Sequence, residues 1–88
     1  MIRHLQINIS GKVEHTGFRL YALWGASEYN INGQVKEHLG QIIIEAEGND
    51  PALQEFIEWC RKGPQGSKVQ NVISSEKKIA GYTDFKIL

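Results

Sequence analysis

The residue types best suited to chemistry sit in one short stretch, Gly11-Lys12-Val13-Glu14-His15-Thr16-Gly17-Phe18-Arg19. It leads straight into a segment whose apolar residues recur at helical spacing. The first amides of a helix lack intrahelical acceptors and carry partial positive charge, so an anion is stabilised there, a phosphate most of all. Arg19 falls in the first helical turn, where its own charge opposes the macrodipole. A guanidinium so placed either grips two oxygens of a phosphate or pairs with an acid, for which Glu14 and Glu37 are the candidates.

The elements that must position these residues are legible from periodicity. Leu5, Ile7 and Ile9 alternate with Gln6, Asn8 and Ser10, which predicts a strand over Leu5–Ser10. Leu20, Leu23, Trp24 and Ala26 predict a helix from Phe18 to about Asn30, weakened by Gly25 by ~1 kcal/mol relative to Ala. Gln34–Leu39 and Gln41–Glu47 read as two strands hinged at Gly40. In the second helix Asp50 is the expected N-cap and Pro51 occupies the first helical position. Leu53, Phe56, Ile57 and Cys60 then form one apolar stripe, Arg61 and Lys62 sit at the negative end, and Gly63-Pro64 ends the helix. Val69–Ser74 and Tyr82–Leu88 read as strands.

The order β-α-β-β-α-β, with right-handed split crossovers, predicts a ferredoxin-like α/β plait. Four antiparallel strands form one sheet, and both helices lie on the same face. In such units the end of the first strand, the start of the helix and the end of the next strand meet at one edge. Glu37 should therefore approach the Gly11–Arg19 turn. It shares the parity of Val35, an expected core residue, and should face the helices.

At 88 residues the chain supports one domain, residues 1–88. Ten Lys and Arg against ten Asp and Glu argue against a general nucleic-acid binder, which needs clustered positive charge. The predicted central strands carry no aromatics to stack bases, and Glu45 and Glu47 would repel a phosphate backbone. Ile42-Ile43-Ile44, the longest aliphatic run, is too short for a membrane span, and Met1–Gln6 has no apolar leader, so a cytoplasmic protein is expected; separately, the chain is expected to be a monomer. The single Cys60 cannot form an internal disulfide. His4 is expected to be exposed, Cys60 to be a small buried hydrophobe, and Tyr21, Trp24 and Trp59 to pack or lie partly exposed on the helices. Lys62, Lys68, Lys77 and Lys78 read as a solvated face.

The spacing Gly11-x-Val13-x-x-x-x-Phe18-Arg19, followed by Gly33-x-Val35, resembles the signature of the acylphosphatases. Ala46-Glu47-Gly48, Gly63-Pro64, Val69 with Val72, and Phe85-Lys86-Ile87 extend the likeness over nearly the whole chain. The resemblance implies the same plait and hydrolysis of the carboxyl-phosphate anhydride of small acyl phosphates, with no metal or cofactor. It makes Arg19 the phosphate-binding arginine and Glu14, His15, Thr16, Gly17 and Phe18 the phosphate-binding loop. The chain departs from the family pattern in two places. Glu14-His15-Thr16 stands where the family usually has Gln-Gly-Val, and Glu37 stands where it has the Asn that orients the attacking water.

Three readings of the altered site follow. In the first the enzyme works, with His15 donating to the phosphate and Glu37 taking the water's proton as a catalytic base. In the second an Arg19–Glu37–His15 network fills the pocket and leaves a catalytically silent anion-binding domain. In the third Glu14-His15 and Glu37-His38 hold a divalent metal, a reading opposed by the alternation that puts Glu37 and His38 on opposite faces of a strand.

Overall fold

Alternation of apolar and polar side chains carries the first strand, β1, from Ile2 to Lys12 in the computed structural model, which describes residues 1–88. It is followed by α1 (Phe18–Tyr29), β2 (Asn32–His38), β3 (Gln41–Asn49), α2 (Asp50–Lys62), β4 (Lys68–Lys77) and β5 (Phe85–Ile87). Leu5, Ile7 and Ile9 of β1, Val35 of β2 and Ile42, Ile44 and Ala46 of β3 are buried against Phe18, Ala22 and Ala26 of α1 and Leu53, Phe56, Ile57 and Cys60 of α2. Both helices thus cover one face of the sheet.

The sheet order is β4-β1-β3-β2-β5. β1 and β2 both run antiparallel to β3, and β3 and β4 both run antiparallel to β1, so each helix closes a split βαβ unit. The expectation of four antiparallel strands needs correction, because a fifth strand adds to the far edge and runs parallel to β2, with Gly33 opposite Phe85 and Val35 opposite Ile87. The cause lies in the connection. After β4, the segment from Lys78 to Asp84 does not turn back in a hairpin but leads to the opposite edge of the sheet, where β5 arrives in the direction of β2. β5 is also shorter than the predicted Tyr82–Leu88, since residues 78–84 form this connecting strap.

The strap buries residues on the sheet face away from the helices. His4, expected to be exposed, is only 6% accessible. Its Nδ1 donates to the Lys78 carbonyl at 2.8 Å and its Nε2 lies 2.6 Å from the Glu45 carboxylate. The ring of Tyr82 covers it edge-on at 5.7 Å. Beside it the buried Glu47 carboxylate accepts from the amides of Ala80 at 2.5 Å, Tyr82 at 3.0 Å and Gly81 at 3.1 Å. Alternation correctly put His4 opposite the core face, but burial there depends on a segment more than seventy residues away in sequence.

At α2 the cap is Asn49, not Asp50. Asn49 keeps an extended backbone at the end of β3 and its side chain accepts from the Ala52 amide at 3.1 Å. Asp50 is the first helical residue, favourably placed at the positive helix end and paired with Arg3.

Gly25 in mid-α1 has a packing reason. A Cβ there would overlap the indole of Trp59. That ring is already fixed on its other contacts, stacked on Tyr21 at 4.6 Å and donating Nε1–H to the Tyr21 carbonyl at 2.9 Å. The Tyr21 hydroxyl returns a bond to the Trp59 carbonyl at 2.7 Å. Gly25→Ala gains about 1 kcal/mol of helix propensity, but overpacking costs about 1–3 kcal/mol. We expect a net loss of up to about 2 kcal/mol, read by urea unfolding with an unchanged m-value. Of the other aromatics singled out, Tyr21 and Trp59 pack between the helices, whereas Trp24 is exposed.

Candidate functional site

The chain leaves β1 at Lys12, buries Val13 in the core and turns through Glu14–Gly17 into α1. Thr16 tightens the turn by donating its hydroxyl to the Val13 carbonyl at 2.6 Å. Gly17 is the N-cap, left-handed at φ 77°, and offers no side chain to the helix amides. His15 is also left-handed, at φ 59°. For a residue with a Cβ that conformation costs about 1 kcal/mol or more, so the rest of the fold imposes it. Left-handed residues interleaved with others are the kind of backbone that turns successive N–H groups toward one concavity.

The first main-chain bond of α1 runs from the Tyr21 amide to the Gly17 carbonyl at 3.0 Å. The amides of Phe18, Arg19 and Leu20 therefore have no intrahelical acceptor. None of the bonds in turns and caps takes its donor from Glu14, His15, Thr16 or Gly17. The first turn contains no acidic residue. The positive end of α1 thus lacks both a side-chain cap and a local counter-charge, and Arg19 adds to its charge.

His15, Gly17, Phe18, Arg19 and Glu37 line one cavity of about 350 Å³, together with Leu20 and Ile87. Glu37 shares its face of β2 with buried Val35 and is half-buried at the cavity wall, facing the helices as its parity requires. The two remaining loop candidates lie outside the cavity. Thr16 is engaged with Val13, and the Glu14 carboxylate lies beside Gly40 in the β2–β3 turn.

Neither proposed acid partner of Arg19 is used. The guanidinium makes no ion pair with Glu14 or Glu37 and instead donates Nη1–H to the Leu88 main-chain oxygen at 3.0 Å. Leu88 is held there because its amide bonds the Val35 carbonyl at 2.8 Å, continuing the β2–β5 pairing. The Arg19–Glu37–His15 network of the silent reading is absent, and Glu37 has no side-chain partner. Glu14, His15, Glu37 and His38 do not converge as a metal-binding cluster. Cys60, whose thiol burial pushes up to about 12, is a core residue and not a nucleophile.

Electrostatics favours an anion in this cavity. A carboxylate about 5 Å from a phosphate oxygen repels it by roughly 3 kcal/mol per unit charge at an effective dielectric near 20. Arg19, of opposite charge in the same lining, offsets that repulsion, and the unpartnered amides add further attraction. The contributions of Leu20, Ile87 and Leu88 were missed from sequence. The place of Ile87 and Leu88 depends on the parallel docking of β5, for which no local pattern exists.

The chain matches the acylphosphatase family over residues 5–87. It is 38% identical to an acylphosphatase of Oceanobacillus iheyensis over 85 residues, 94% of this chain and 91% of that protein. It is 34% identical to an acylphosphatase of Thermotoga maritima over 87 residues, 98% of this chain and 97% of that protein. The crystal structure of an acylphosphatase from Bacillus subtilis superposes with a TM-score of 0.95 at 32% identity, covering 100% of this chain and 99% of that one. With a turn of unpartnered amides, an arginine in the first helical turn and a fold shared from end to end, this chain belongs to the acylphosphatase family.

Proposed function

We propose that the chain hydrolyses acyl phosphates to a carboxylate and inorganic phosphate, acting as a monomer in the cytoplasm. The observation that carries this reading is the uncapped turn at the start of α1, whose unpartnered amides border a cavity that Arg19 and Glu37 also line. Such a turn binds the phosphoryl oxygens, and Arg19 stabilises charge that builds on them in the transition state. Water attacks phosphorus as the bond from phosphorus to the acyl oxygen breaks. The leaving carboxylate is a stable anion and needs no proton from the protein. Glu37, free of any partner, orients the water and accepts the proton it releases.

The direct test is turnover of acetyl phosphate against a buffer blank. A rate equal to the blank removes the proposal. The role of Glu37 has its own signature. Glu37→Ala is expected to lower kcat about a hundredfold. Glu37→Asn, which supplies the residue other family members use to orient water, should retain most of the activity. A kcat in Glu37→Ala equal to that of the native chain would show that the carboxylate takes no part in the reaction.

A further inference from the structure

We propose that Leu20 and Ile87 form an apolar shelf that receives the acyl group, so that the site selects acyl phosphates with uncharged apolar tails over acetyl phosphate. The inference rests on the hydrolase reading of the same cavity and names its substrate class. At about 30 Å³ of liquid volume per water, the cavity of about 350 Å³ is larger than a phosphate group alone fills.

Its lining is divided by chemistry. The loop, Arg19 and Glu37 supply the polar groups, while Leu20 and Ile87 are 44% and 41% exposed. One exposed aliphatic residue needs no explanation. Here two line the same cavity from different elements, α1 and β5. The backbone that carries Ile87 is anchored beside the cavity, because Leu88 bonds the Val35 carbonyl and accepts from Arg19.

With the phosphoryl group fixed at the amides, the acyl chain must leave across the remaining lining. A methyl group covers little of that surface, whereas a ring or branched chain removes both aliphatic side chains from water. Charge sharpens the choice. Arg19 is the only Lys or Arg in the lining, and the Glu37 carboxylate repels an anionic tail.

Phosphonates that cannot be hydrolysed test the shelf independently of turnover. By calorimetry the native chain should bind benzylphosphonate about tenfold more tightly than methylphosphonate, the lower end of what one hydrophobic contact contributes to discrimination. In Leu20→Gln/Ile87→Thr the two affinities should come within about twofold of each other. The single variants Leu20→Gln and Ile87→Thr, checked by far-UV circular dichroism, should each show an intermediate ratio. Equal affinities in the native chain, a preference that survives in the variants, or no binding of either phosphonate would overturn the proposal. Acetyl phosphate turnover judges the hydrolase reading separately, since hydrolysis without a benzyl preference removes only the shelf.

Discussion

Arg19→Ala is expected to lower kcat/KM for acetyl phosphate by about a thousandfold, the range found when one charged stabiliser of a transferring phosphoryl group is removed. A thousandfold corresponds to about 4 kcal/mol of transition-state stabilisation. The size follows from how little else in the cavity carries positive charge. No other Lys or Arg lines it, and Glu37 opposes the substrate. Arg19→Lys should recover only part of the loss, because an ammonium keeps the charge but not the planar fork that meets two oxygens at once. Stability should hardly change in either variant, since Arg19 is exposed and its one hydrogen bond goes to the Leu88 main chain. Steady-state kinetics with urea unfolding separates the two effects. A loss of less than about tenfold would mean that the amides bind the phosphate without help from the guanidinium.

The second large effect is expected at Glu47, far from the cavity. Its carboxylate is the common acceptor for the amides of Ala80, Gly81 and Tyr82. An unsatisfied buried donor costs about 1–3 kcal/mol, and three are left without an acceptor in Glu47→Leu. The strap can partly turn to water, so we expect a loss of about 3 kcal/mol by urea unfolding. Glu47→Gln keeps one acceptor but turns an amide N–H₂ toward the donors, and about 2 kcal/mol is expected. Activity should fall as well, because the strap delivers β5, and β5 places Ile87 and Leu88 beside Arg19.

The same group sets an acid limit. Burial pushes the Glu47 carboxyl up, but the amides of Ala80, Tyr82 and Gly81 and the nearby His4 more than offset it, so the net direction is down. A carboxyl lowered by folding adds stability that is fully present above its unfolded value and is lost as the pH falls below that value and through the folded one. Native stability should therefore decline on acidification through and below the ordinary glutamate range, and the decline should be shallower in Glu47→Gln. Parallel acid limbs in the two proteins would show that Glu47 carries none of it.

Much of this was legible because local periodicity and burial agree. Leu5, Ile7 and Ile9 alternate as a strand with one dry face must, and Leu53, Phe56, Ile57 and Cys60 repeat as one helical stripe must. The apposition of Glu37 and the Gly11–Arg19 turn followed from βαβ geometry alone. What failed was set by distant parts of the chain. His4 and Glu47 are buried by a strap whose residues show no periodicity. The direction of β5 depends on where that strap comes down. The cap at Asn49 went to Asp50 because both side chains can cap, and only the backbone at the end of β3 distinguishes them. Gly25 reads as a flaw in a helix until Trp59 is seen against it.

The interior strand β1 pairs on one side with β3 and on the other with β4, joining Ile2 to Asn49 and His4 to Lys77. Both ladders close long loops before any contact rewards them, so refolding should be slow for a chain of this size, toward milliseconds to seconds. On the ribosome β1 can pair with β3 once Asn49 has emerged, but its other edge must wait for β4, which ends at Lys77. Throughout that interval β1 would keep an unpaired edge open to other nascent chains.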